Sequence, residues 1–250
     1  MTTQTEKKEI KLVALDIDGT LLNSAHTLSK ENIAAIKEAQ DKGVYVVLST
    51  GRSLMTTSEH AETLKLTSYL VTVNGSEIWD RDLNLVERNK LDSQFVQKMW
   101  DLRNEHGTHA WATSVDKVWR NEMPEDIHQS EWLKFGFDVM DDETRLTILK
   151  ELQSHPELEI SNSSPTNIEI NAAGVNKAQG LKKVCEFLGL TMDQVMAVGD
   201  SLNDLAMIKE AGLGVAMGNA QQLVKDTADW VTTTNDEAGV AHAIRTWVLS

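Results

Sequence analysis

The chain reads as an α/β protein: a doubly wound, mostly parallel, Rossmann-like sheet with an α+β cap domain inserted into it. Three observations predict this. Apolar runs recur at Leu12–Leu15, "VYVVLST" (44–50), "YLVTV" (69–73) and "VMAVGD" (195–200). Continuous rather than alternating apolar strands are expected where a parallel sheet is covered on both faces. Helix-length amphipathic stretches separate them, which is the β–α–β alternation of a doubly wound fold. The rhythm then breaks and resumes, which divides the chain into a core at 1–83 and 175–250 and an insert at 84–174.

The first strand ends at Asp16. Ser29 stands where a helix N-cap is wanted, and Ile33, Ile36 and Ala39 form an apolar stripe ending near Gly43, so 30–42 is expected to be helical. Strand 44–50, helix 53–65 and strand 69–73 follow, and Asn74-Gly75 makes a turn. The insert reads as a helix (93–105), short strands (109–119), a helix (142–153) and a strand pair near 157–170. All three prolines and Trp100, Trp111, Trp119 and Trp132 fall inside it, a composition shift that marks a separate unit. Helix 177–188 then leads back to strand 195–200, helix 203–211, strand 213–217, helix 220–226, strand 229–233 and a closing helix to about 247.

Twenty-four Lys and Arg against 38 Asp and Glu leave a formal net charge of -14. That balance argues against a nucleic-acid or anionic-membrane partner, which calls for a basic face. The first nine residues are polar and expected to be frayed, and no apolar run approaches a membrane span. Cys185 is the single cysteine, so no internal disulfide can form, and a reducing cytoplasm is the expected compartment. Leu181, Val184, Cys185 and Leu188 recur at helical spacing, which makes Cys185 a core residue rather than a nucleophile. No feature specifies an oligomeric state.

In open parallel sheets ligands bind beyond the carboxyl ends of the strands. There the sequence places Asp16, Asp18, Gly19 and Thr20 after the first strand and Thr50, Gly51 and Arg52 after the second. Gly199, Asp200, Ser201, Asn203 and Asp204 follow the fourth core strand, and Lys177 opens the helix that re-enters the core. Asp16, Asp18 and Asp200 would repel one another unless a cation sat among them. An all-oxygen donor set points to a hard ion, and carboxylates sharing it with a phosphate suit Mg²⁺. A calcium EF-hand fails on spacing, since loop positions six and twelve from Asp16 are Leu21 and Thr27. No P-loop occurs, and "GLGVAMG" (212–218) overlaps a strand where a dinucleotide motif would open a helix. Thr50, Gly51 and Lys177 have the chemistry to hold a dianionic phosphate. Arg52 stands equally between a substrate contact and a sheet-edge cap. Trp111 and Trp119 are candidate substrate contacts, weighed against the commoner fate of tryptophan as core.

"DIDGT", "STGR", an isolated lysine before a helix and "GDSLND", in this order, resemble the haloacid dehalogenase-like phosphatases, most closely their Cof-like branch with a large cap after the third strand. The resemblance covers the core; the cap matches in size and position. It implies that Asp16 is a nucleophile forming an aspartyl-phosphate and that Asp18 is the general acid/base, with its main-chain carbonyl on Mg²⁺. Asp16 and Asp200 would be the carboxylate ligands. The Ile17 backbone, Thr50, Gly51, Lys177 and Asn203 would hold the phosphate, with Asp204 supporting the metal or Lys177. Ala178 follows Lys177 where relatives often have Gly. The implied activity is hydrolysis of a small phosphorylated metabolite, a sugar phosphate or a cofactor precursor such as the ribitylaminouracil phosphate of riboflavin synthesis. A phosphotransferase or mutase and a non-catalytic phosphometabolite sensor are the alternatives; the paired Asp16 and Asp18 speak against the sensor.

Overall fold

The computed structural model describes residues 9–250; the polar stretch 1–8 expected to be frayed lies outside the described residues. Strands β1 (Leu12–Leu15), β2 (Tyr45–Ser49) and β3 (Leu70–Thr72) form as expected, joined by helices α1 (Lys30–Asp41) and α2 (Leu54–Thr63). Ser29 caps α1, its side chain accepting from the Asn32 N–H at 3.0 Å. Past the turn at Val73–Gly75, β4 (Glu77–Trp79) and β5 (Leu85–Arg88) run antiparallel and extend the same sheet. The boundary expected at 84 therefore falls inside a hairpin of the large sheet, and the chain leaves that sheet only after Arg88.

The insert contains α3 (Ser93–His106), β6 (His109–Ser114), β7 (Val118–Arg120), β8 (Trp132–Asp138), α4 (Asp142–Leu152), β9 (Leu158–Ser161) and β10 (Asn167–Ala172). Its five strands form an antiparallel sheet in the order β7-β6-β8-β10-β9. The sequence reading has no counterpart of β8, which pairs with both β6 and β10 and so sits at the centre of the sheet. The chain returns through α5 (Lys177–Leu188), β11 (Val195–Gly199), α6 (Leu205–Glu210), β12 (Leu213–Ala216), α7 (Gln222–Thr227), β13 (Trp230–Val231) and α8 (Gly239–Trp247). The large sheet runs β13-β12-β11-β1-β2-β3-β4-β5, parallel from β13 to β3.

The four residues of β1 are fully buried and face both ways. Val13 and Leu15 join one apolar cluster with Ile36, Leu48 and Ile244, and Leu12 and Ala14 join another with Val47, Leu181, Val184 and Cys185. Burial pushes the Cys185 thiol up to about 11, in keeping with its core position. The insert has its own cluster around Trp132, Phe135, Phe137, Ile148 and Ile170. No helix among the described residues is long and apolar enough to cross a membrane.

Candidate active site

The site follows from strand order. β1 lies between β2 and β11 with Leu15 opposite both Leu48 and Val198, so the residues that follow these three strands emerge side by side. Asp16 is the first residue beyond β1 and is only 4% exposed. Lys177, the first residue of α5, is fully buried and donates to Asp16 Oδ1 and Asp204 Oδ1, both at 2.6 Å. Burial and the helix dipole both work against an ammonium there. The two carboxylates outweigh them and push the Lys177 pKa up.

Asp204 is spent on structure. Its Oδ2 accepts the backbone N–H groups of Asp200 (2.9 Å) and Ser201 (3.1 Å), which closes the turn after β11 and aims Asp200 back toward β1. Asp200 Oδ1 accepts from Thr20 Oγ1 at 3.3 Å. Its approach explains Gly19, which has φ +78° and whose added Cβ would lie 2.4 Å from Asp200 Oδ2. Backbone sign and space both demand glycine there.

Asp16, Asp200 and Asp204 each offer an oxygen within 4.8 Å of the others. Burial pushes the Asp16 carboxyl up to about 7, with Lys177 only partly offsetting it. Burial and the negative neighbours Asp204 and Asp16 push Asp200 up to about 8. Three carboxylates around one ammonium leave the site short of positive charge. An oxygen-only donor set with that deficit fits a divalent hard cation. Asp16 and Asp200 are the carboxylates free to hold it, because both oxygens of Asp204 are already engaged.

Asp18 points elsewhere. Arg52 grips its carboxylate with two bonds, Nε to Oδ2 at 2.7 Å and Nη2 to Oδ1 at 2.5 Å. Arg52 thus acts on the second aspartate rather than merely capping the sheet edge. Ile17 is buried, and its carbonyl accepts from Leu21 and Leu22, so its backbone amide is the group left for a ligand. Asp16, Asp18, Thr50, Gly51, Arg52, Ser201 and Asn203 line a cavity of about 230 Å³ that the insert closes with Lys134, Ser163 and Glu169. A Cβ on Gly51 would lie 3.0 Å from Asn74 Oδ1 and 3.2 Å from the Lys134 ammonium, so either side chain would have to give way to it. Lys177 lies behind Asp16 and Asp204, outside the cavity wall.

The two tryptophans part company. Trp119 pairs with Ala112 across the small sheet, on the helix-covered face, and is half-buried, packing on Trp132 against the insert's own core. The structure thereby corrects its candidacy as a substrate contact. Trp111 shares the face of Lys134 and Glu169 but lies flat over Gly136 and does not line the cavity. Sequence reasoning missed Lys134, Ser163 and Glu169. The signal was available for two of them: a lysine inside "WLKFGF" and a glutamate inside "NIEINA" are polar residues alternating with core positions of a strand.

The sequence profile of the haloacid dehalogenase-like hydrolases matches residues 13–145 and 121–244. The chain belongs to that family. A haloacid dehalogenase-like hydrolase from Bacillus subtilis superposes with a TM-score of 0.87 at 27% identity, over 94% of this chain and 99% of the other. The 5-amino-6-(5-phospho-D-ribitylamino)uracil phosphatase YcsE of Bacillus subtilis is 64% identical over 249 residues, all of both chains. Phosphatase YwpJ of the same organism is 30% identical over 94% of this chain and 99% of its own length.

Proposed function

We propose that this hydrolase is a Mg²⁺-dependent phosphatase that removes the phosphate of 5-amino-6-(5-phospho-D-ribitylamino)uracil through an aspartyl-phosphate on Asp16. The observation that carries the reading is the buried Asp16, held by Lys177 with Asp200 alongside and Asp18 two residues on. The 64% identity over the full length of a phosphatase of that name supports the substrate. A cytoplasmic location accompanies this proposal, resting on the single, buried Cys185.

In this reading the Asp16 carboxylate attacks phosphorus, a new P–O bond forms and the ester bond breaks. Asp18 gives its proton to the departing alkoxide. Water then attacks the phosphorylated Asp16 while Asp18 takes the water's proton, releasing phosphate and restoring both carboxyl groups. Mg²⁺, held by Asp16 and Asp200 with the Asp18 carbonyl, would supply positive charge opposite the non-bridging oxygens when bound. Lys177 fixes the orientation of Asp16 and neutralises part of its charge, and Thr50, Gly51, Asn203 and the Ile17 amide offer donors to the phosphoryl oxygens. Arg52 holds Asp18 at the cavity wall until substrate arrives.

The insert would serve as the lid that selects substrates, since it closes the cavity over the leaving group. The test is phosphate release from the named substrate and from p-nitrophenyl phosphate, with Mg²⁺ and with EDTA. Release from the ribitylamino substrate that stops in EDTA is expected; equal rates in EDTA would sink the metal, and no release from either substrate would sink the phosphatase.

A further inference from the structure

The insert contributes an ion pair that the chemistry above does not use. Lys134 lies in β8 and Glu169 in β10, while their strand neighbours Phe135, Ile168 and Ile170 turn into the insert's apolar cluster. Both charged side chains occupy the opposite face and are 5% exposed. Lys134 Nζ donates to Glu169 Oε2 at 3.1 Å and to the Gly51 carbonyl at 2.8 Å. Glu169 Oε2 also accepts from Asn74 Nδ2 at 2.6 Å, and Oε1 accepts from Ser163 Oγ at 2.7 Å. Burial opposes the Glu169 charge, but the Lys134 ammonium and these hydrogen bonds hold its carboxyl below the usual range. Asn74 Oδ1 in turn takes the Asn203 amide at 3.4 Å, so the pair is wired to the phosphate side of the site.

Stability supplies no reason for this pair, because apolar residues of the same volume commonly do as well or better in such a place. Its position supplies one. Lys134 and Glu169 line the same cavity as Asp16 and Asp18. An ammonium has three N–H donors and Lys134 spends two of them within the protein; Oε1 of Glu169 accepts only one bond. A spare donor beside a spare acceptor is what a hydroxyl needs, since a hydroxyl is both. No aromatic ring lines this cavity among the described residues, so a planar base finds no stacking partner in it.

We propose that Lys134 and Glu169 form the leaving-group subsite and recognise neighbouring hydroxyls of a polyol chain esterified to the phosphate. The subsite rests on the phosphatase reading and names the part of the substrate it grips: the hydroxylated chain rather than the base.

The test uses the full chain with Lys134→Met, Glu169→Gln and the double variant, which removes both charges at nearly constant volume and so escapes the cost of a single unpaired charge. Thermal unfolding checks that each variant is folded. Ribitol 5-phosphate and p-nitrophenyl phosphate are the substrates. Losing hydrogen bonds to charged groups should lower kcat/KM for ribitol 5-phosphate roughly ten- to a hundredfold more than for p-nitrophenyl phosphate, mostly through KM. Equal losses on the two substrates, or none on either, overturn the subsite. Calorimetric binding of ribitol 5-phosphate and inorganic phosphate in EDTA, where the phosphatase reading expects no turnover, keeps the two readings apart. The wild-type chain should prefer ribitol 5-phosphate and the double variant should not. A wild-type chain that shows this preference yet, with Mg²⁺, releases phosphate from none of the substrates named here would refute the phosphatase reading and leave the subsite standing. A wild-type chain without the preference refutes the subsite whatever its activity.

Discussion

Asp16 and Asp18 stand two residues apart and live in different environments. Asp16 is buried against Lys177, whereas the Asp18 side chain is 48% exposed and paired with Arg52. Their substitutions should therefore separate. On the proposed mechanism Asp16→Asn removes the nucleophile, so neither turnover nor a phosphoryl-enzyme is expected. Asp18→Asn keeps the nucleophile and loses the proton carrier, whose contribution is typically ~10²–10⁴-fold. An alkoxide needs that proton to leave and p-nitrophenolate does not. The Asp18→Asn chain should be nearly inactive on a polyol phosphate, yet accumulate phosphorylated Asp16 from p-nitrophenyl phosphate, seen as a mass gain after acid quench. Equal slowing on both substrates with no trapped species would contradict the roles. Arg52→Ala releases the Asp18 carboxylate from its bidentate partner. It should slow polyol phosphates more than p-nitrophenyl phosphate, whereas a residue that merely caps the sheet edge would affect both alike.

At the scale of elements, the start of α5 concentrates the risk. Asn176 caps the helix through the Gln179 N–H, and that cap delivers Lys177 between two buried carboxylates. Lys177→Met leaves Asp16 and Asp204 buried without their cation. Breaking a buried pair in this way costs about 3–5 kcal/mol, to be read as a lower urea midpoint at neutral pH; an unchanged midpoint would show that the carboxylates find relief elsewhere. The small sheet offers a second case. Trp119→Ala opens the packing against Trp132, so activity on every substrate should fall together with the melting temperature. Substrate-selective loss from that variant would put the ring back at the ligand.

For the whole molecule, the proposed metal site would join the turn after β1 to the turn after β11 and through Lys177 to α5, so cation binding should resist global unfolding. The sign of its pH dependence follows from Asp16 and Asp200. Their folded-state pKa values, about 7 and about 8, lie above the ordinary 3.8. The cation-free fold therefore holds more protons than the unfolded chain between about pH 4 and pH 8 and loses stability as pH rises through that window. Mg²⁺ competes with those protons. Its effect on the melting temperature should grow from pH 5.5 to pH 8; an increment independent of pH would remove these two carboxylates as ligands.

Much of this was legible in the chain itself. Buried parallel strands announce themselves as unbroken apolar runs, and carboxylates placed just past such runs have few structural uses, so the core elements and Asp16, Asp18, Lys177 and Asp200 could be read from order and spacing. The same local logic failed in the insert. β8 was missed because Lys134 and Gly136 interrupt its apolar run, and the hairpin of β4 and β5 was missed because strands of three and four residues are too short to show a period. Cys185 as core and Ser29 as cap needed only the helical period and one side chain's reach. By contrast, the grip of Arg52 on Asp18, the commitment of Asp204 to the turn amides, Trp119 as core and the meeting of Lys134 and Glu169 with Gly51 were decided by tertiary structure alone. Periodicity reports which face of an element is buried, but which distant element covers that face depends on sheet order and on how the insert docks, and those depend on contacts between residues far apart in the chain.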